Sequence, residues 1–260
     1  MDNILIMDQM SRELRGEILS RVHKDALAGI AGASKPWNKF VRLWVETRYP
    51  EVADRCMGVH QWRLCGATDV GVAPKIPLSF YADVASGQFM LTWVPEYIDD
   101  PKNLTSDPQT IDEFYKKYTH REKSIFFPQF SDVMAEGAIK PFKGHYVLLS
   151  KDVLAGTRNN SFETKQEGCK GQRELVEEAG YRVPHLIDVL GSLLLHHMRT
   201  GEYLYSDGSN GQLLAFTRVQ EDSKFKVAIG GFSASDIFAY FSYFDTDFIG
   251  VACARKSFGL

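Results

Sequence analysis

The stretch from Met10 to Pro50 constrains this chain most, because its apolar residues recur at helical spacing in three successive short segments. In the first, Leu14, Ile18 and Val22 fall four apart and share one face, with Leu19 beside them. Ser11 is placed to cap that helix. Asp25 is placed to cap a second, shorter one through Ala26, Leu27 and Ile30. Ser34 does the same for a third, with Pro36 in the first turn, where a missing N–H costs nothing. Trp37, Phe40, Val41, Trp44 and Val45 then form an apolar stripe, and Pro50 ends it. A unit of about 40 residues cannot bury enough surface alone, so these faces need a cover, from the rest of the chain or from another protein.

The order of these residues resembles an F-box. It is carried by Leu14, Glu17, Ile18, Leu19 and Val22, then Asp25 and Leu27, then Ser34, Lys35 and Trp37, then Trp44. The Leu-Pro pair with which such modules usually open is replaced by Met10-Ser11. The resemblance implies a three-helix module that docks on the Skp-type adaptor of a cullin ubiquitin ligase. It places Met10, Leu14, Ile18, Leu19, Val22, Leu27 and Trp37 at the docking surface. The remainder would present a target protein and would need no catalytic residue or cofactor of its own.

Charge fits that division of labour. Met10 to Pro50 carries eight Lys/Arg and four Asp/Glu, a balance of +4, which leaves −7 for the rest of a chain whose total is −3. A basic helical module suits an acidic protein partner, by steering more than by affinity. The overall charge and a pI near 6.2 argue against nucleic acid as the main partner. Cys56, Cys65, Cys169 and Cys253 form no C-x-x-C pair, so neither a zinc knuckle nor a disulfide framework is expected, and a reducing cytoplasmic setting fits. No run of 18 apolar residues exists for a membrane span, and MDNILIMDQM lacks the pattern of a secretory signal. Delivery into a host cell by a specialised secretion machine remains open to such a chain.

The Gly-, Ala- and Pro-rich run Gly66 to Pro77 reads as a linker. The expected organisation is a helical module over 1–58, a linker over 59–76 and an α+β target-binding domain with an antiparallel sheet over 77–260. His60 to Leu64 is expected to start something extended. Strands are expected at Gln88–Val94, His145–Ser150, Leu213–Val219, Lys226–Phe232 and Phe248–Arg255. Helices are expected from about Phe162 to Ala179, with room for a break near Gly168 and Gly171, and from Pro184 to a cap near Gly201, the latter with Leu186, Leu190, Leu193, Leu194 and Met198 on its core face. Ser235–Phe244 fits either state. The second half also resembles F-box-bearing proteins of intracellular bacteria. The matching pieces are Lys151-Asp152-Val153 with Gly156, Arg158-Asn159 and Ser161, then Thr217-Arg218 and Gln220-Glu221, then Gly230-Gly231-Phe232, Gly250-Val251-Ala252 and Arg255-Lys256. This second resemblance implies an effector-type receptor and names no catalytic residue.

The polar candidates weigh against chemistry. His196 and His197 point about 100° apart on a helix and cannot easily share a metal, so they read as surface histidines near a helix C-terminus. Cys169, with His145, His185, His196 and Asp188 at long range, lacks any local signature of a nucleophile. Gly230-Gly231 belongs to no phosphate-binding pattern and reads as a bulge or tight turn. Arg158 and Asn159, with Arg218 and Glu221, form a candidate polar site if their loop packs over the sheet. Against that stands a plainer role, in which Arg158 ties its own turn to backbone carbonyls. The second function class is therefore a small enzyme whose site lies near these arginines, and the third is a single interaction domain with a helical cap.

Overall fold

Two runs of bulky and β-branched residues build the centre of the structure. Phe89–Val94 lies between Gly87, whose φ of 78° ends the preceding turn, and Pro95, which cannot donate to a ladder. His145–Val153 pairs with it antiparallel, Val94 opposite His145 and Phe89 opposite Ser150. The computed structural model describes residues 52, 55–100, 102, 113–114, 116, 143–163, 170–205, 215–220, 226–233, 237–241 and 246–258. The segment expected to form three helices, and the seven residues expected to dock, Met10, Leu14, Ile18, Leu19, Val22, Leu27 and Trp37, lie outside the described residues.

In chain order the elements are β1 (Cys56–Met57), α1 (Val59–Leu64), a 3-10 turn (Leu78–Phe80), α2 (Tyr81–Ala85), β2 (Phe89–Val94), β3 (His145–Val153), α3 (Gln172–Glu178), α4 (Leu186–Thr200), β4 (Phe216–Arg218), β5 (Val227–Gly230), β6 (Phe238–Phe241), β7 (Ile249–Gly250) and β8 (Ala252–Phe258). The chain divides into two compact units, Met1–Cys56 with Lys75–Gly87 and Met57–Pro74 with Gln88–Leu260. In the first, Leu78, Phe80, Tyr81 and Val84 are buried along the 3-10 turn and α2. Arg55 donates to the carbonyls of Val84 and Ala85, each at 3.1 Å, satisfying acceptors that a helix end leaves open.

The described strands form two four-stranded sheets, ordered β1-β2-β3-β8 and β6-β5-β4-β7, and all but Cys56 of β1 belong to the second unit. The pairs β2–β3 and β3–β8 are antiparallel. The second sheet is mixed, because β7 runs parallel to β4. The α+β class therefore holds, while the single antiparallel sheet expected from the sequence is corrected to two sheets. The physical reason is a crossing at Val251. The expected strand Phe248–Arg255 leaves one sheet as β7 and enters the other as β8. Val251 accepts from the Leu154 N–H at 2.8 Å and donates to Thr157 Oγ1 at 3.1 Å, and Ala252 donates to Thr217 Oγ1 at 2.8 Å. Those side chains replace the ladder bonds that a strand loses when it changes sheets.

The crossing leaves no room at Gly250. A Cβ there would lie 2.7 Å from Val153 Cγ2 and 2.8 Å from Thr157 Oγ1. Gly250→Ala is expected to destabilise the protein by about 1–3 kcal/mol through overpacking. Urea unfolding checks this as a lower midpoint at an unchanged slope.

Two further expectations are corrected. His60–Leu64 is helical, within α1. The Gln61 side chain accepts the Gly58 N–H at 2.9 Å, and the Trp62 indole N–H donates to the Trp93 carbonyl at 2.8 Å, so packing overrides the local pattern. Of the helix expected from Phe162 to Ala179, the described part after Gly171 is helical, as α3, and Gly171 opens it, where a break was allowed for. Residues 161–163 are not helical because their carbonyls cap α3 instead: Ser161 accepts from Gln172 at 2.8 Å and Phe162 from Arg173 at 3.2 Å. The ambiguous run Ser235–Phe244 contains β6, a strand. Helix α4 ends where expected, with Gly201 left-handed at φ 75° and donating to the His197 carbonyl at 2.7 Å. Among the described residues no helix is long and apolar enough to cross a membrane.

Candidate functional site

The strongest polar constellation joins the start of β3 to the first turn of α4. His145 Nε2 lies 2.8 Å from Asp188 Oδ1, and both side chains are completely buried. Helix α4 opens at His185, and Asp188 sits three residues in, where its other oxygen, Oδ2, accepts the His185 N–H at 3.0 Å. One carboxylate thus caps the helix and anchors the imidazole. The other imidazole nitrogen, Nδ1, faces the Lys143 carbonyl at 3.1 Å. A carbonyl only accepts, so Nδ1 carries a hydrogen. Asp188 also acts on Arg182: burial pushes that guanidinium below its usual range, and the carboxylate pulls it back up.

A His–Asp pair with Ser192 one turn along α4 has the composition of a hydrolytic triad but not its geometry. The nucleophile must sit on the imidazole nitrogen that the carboxylate leaves open. Here Asp188 holds Nε2, and the Lys143 carbonyl occupies Nδ1. The pair instead ties α4 to the sheet.

The far end of α4 corrects the expectation of surface histidines. His196 is buried, and its Nε2 lies 3.0 Å from Glu202 Oε2. The His197 ring stacks on Tyr203 at 4.2 Å and meets Phe232 edge-on at 5.2 Å. The Gly201 turn brings Glu202 and Tyr203 back over the helix end, which is why these histidines are covered. Burial pushes the His196 imidazole below its ordinary 6.5, outweighing the opposing pull of Glu202; the Lys151 and Arg199 charges act in the same direction as burial. The unfolded chain therefore takes up this proton more readily than the folded one. Stability is fully present above about pH 6.5 and declines as the pH falls below it. Thermal midpoints recorded from about pH 7.5 to about pH 5 are expected to fall less in His196→Asn than in the parent.

The sequence-derived polar residues are engaged by different groups. Arg158 reaches the Asp247 and Phe248 carbonyls at 3.5 and 3.4 Å and Asp152 Oδ1 at 3.2 Å. Asn159, at φ 56°, donates its N–H to the Thr246 carbonyl at 2.9 Å. Arg218 is 1% exposed, with its guanidinium 5.8 Å from the Phe162 ring centre. Arg173 and Lys226 approach the same ring, at 4.9 and 5.8 Å. Glu221 and Cys169 lie outside the described residues. Burial raises the Cys65 thiol and pushes Cys253 up to about 11, which disfavours the thiolate a nucleophile needs. Among the described residues, no three His, Cys, Asp or Glu side chains are grouped as a metal site would require.

The His145–Asp188 link spans 43 residues and is invisible to local pattern. Half of it could be found: an acidic residue three positions after the residue that opens a helix is a capping signal. Compared with protein-family models, curated proteins and solved structures, the chain matches none.

Proposed function

We propose that the chain is an F-box-like substrate receptor. Its N-terminal three-helix segment docks on a Skp-type adaptor of a cullin ubiquitin ligase, and its α+β unit holds a target protein for ubiquitin transfer by other subunits. The observation that carries the reading is the ordered set Leu14, Glu17, Ile18, Leu19, Val22, Asp25, Leu27, Ser34, Lys35, Trp37 and Trp44. The +4 balance of that segment, in a chain of net charge −3, favours an acidic docking partner. A second support is the use the α+β unit makes of its polar side chains. His145, Asp188, Arg158 and Gln172 hold strands, loops and helix ends together, the role expected of a presenting scaffold. The resemblance of the second half to F-box-bearing proteins of intracellular bacteria adds a setting, action inside a host cell after delivery by a specialised secretion machine. Size-exclusion chromatography of the full chain with a purified Skp-type adaptor tests the reading. A single peak of 1:1 stoichiometry is expected, and independent elution of the two proteins at tens of micromolar, a level corresponding to roughly −6 kcal/mol, contradicts it.

A further inference from the structure

We infer that Thr92 and Ser192 hold a water molecule buried between α4 and β2. Both residues are completely buried, and neither Thr92 Oγ1 nor Ser192 Oγ has a hydrogen-bond partner among the described residues. A hydroxyl has one hydrogen to donate and two lone pairs, and leaving these unmet in a dry interior is costly.

Register places the two hydroxyls at one level. Asp188, Ser192 and His196 recur every four residues and share a stripe of α4. Asp188 meets His145 at the start of β3, and Tyr205, five residues past the end of α4, donates its hydroxyl to the Ser150 carbonyl towards the far end of β3. Helix α4 therefore runs alongside β3 in the same direction, and opposite to the antiparallel β2. Val94 pairs with His145, and Thr92 points to the same side two residues earlier. From the His145–Asp188 contact, Thr92 is about 6.8 Å back along the strand, and Ser192 is about 6 Å along the helix axis. The two displacements run the same way, so Thr92 and Ser192 face each other across the packed interface.

A buried water typically makes about three hydrogen bonds. Two hydroxyls supply two of them, and a helix carbonyl with a second lone pair supplies the third. The water extends a polar seam, His145–Asp188 at one end and His196–Glu202 at the other, through an otherwise apolar contact. It is independent of adaptor docking.

The test is a high-resolution crystal structure of the full chain together with thermal unfolding of Thr92→Val, Ser192→Ala and the double variant. An ordered water within about 3.2 Å of both oxygens is expected. Each single variant is expected to lower Tm, because it strands the other hydroxyl, and the double variant is expected to regain part of that loss. Direct bonding of the two hydroxyls to each other, a dry interface, or strictly additive Tm losses would overturn the proposal.

Discussion

Replacing Asp188 with alanine is expected to destabilise the protein by about 2–4 kcal/mol, because it removes at once the buried hydrogen-bond partner of His145 and the acceptor of the His185 N–H. The reasoning starts from burial. His145 and Asp188 are both inaccessible to solvent and 2.8 Å apart, so neither can turn to water when the other is lost. Asp188→Ala also removes the acceptor for the His185 N–H, so the first turn of α4 frays as well. The helix matters because Leu186, Ile187, Val189, Leu190, Leu193, Leu194 and Leu195 are all buried along it. Replacing both partners, as His145→Phe with Asp188→Leu, is expected to cost much less than the single changes His145→Phe and Asp188→Leu added together, since no buried polar group then loses its partner. Denaturant unfolding of the four proteins closes this cycle. Additive losses would mean that the two side chains act independently.

The elements that could be read in the sequence are those whose signal is local. β2 and β3 announce themselves as short apolar runs with punctuation, and α4 as a leucine stripe ended by Gly201. The elements that could not be read depend on distant partners. α1 is six residues long and is held by an indole that reaches the Trp93 carbonyl. The division of the last strand into β7 and β8 is set by Thr157, 94 residues before the Val251 N–H it accepts. The side of the candidate site was hidden for the same reason. Arg158 and Arg218 were visible as cations, but nothing nearby in sequence says that one grips the carbonyls of 247 and 248 while the other sits beside Phe162.

The largest effect on binding is expected from the double change Leu14→Ala with Leu19→Ala, which should weaken adaptor docking by more than about 2 kcal/mol. In the proposed docking segment, the sequence spaces Leu14 and Ile18 one helical turn apart, with Leu19 beside them. Truncating central apolar anchors removes most of an interface's energy, whereas rim charges chiefly change its rate and salt dependence. Reversal of basic residues such as Arg12 and Arg15 is therefore expected to slow association more than it loosens the complex. The paired leucine variant must keep the thermal midpoint of the parent within a few degrees for the loss to be assigned to docking.

Calorimetric titration of the intact protein with a purified Skp-type adaptor tests the central claim most directly. Saturable heat at one adaptor per chain, abolished by Leu14→Ala with Leu19→Ala, is the predicted result. An absence of heat at tens of micromolar, roughly the −6 kcal/mol level, would contradict it.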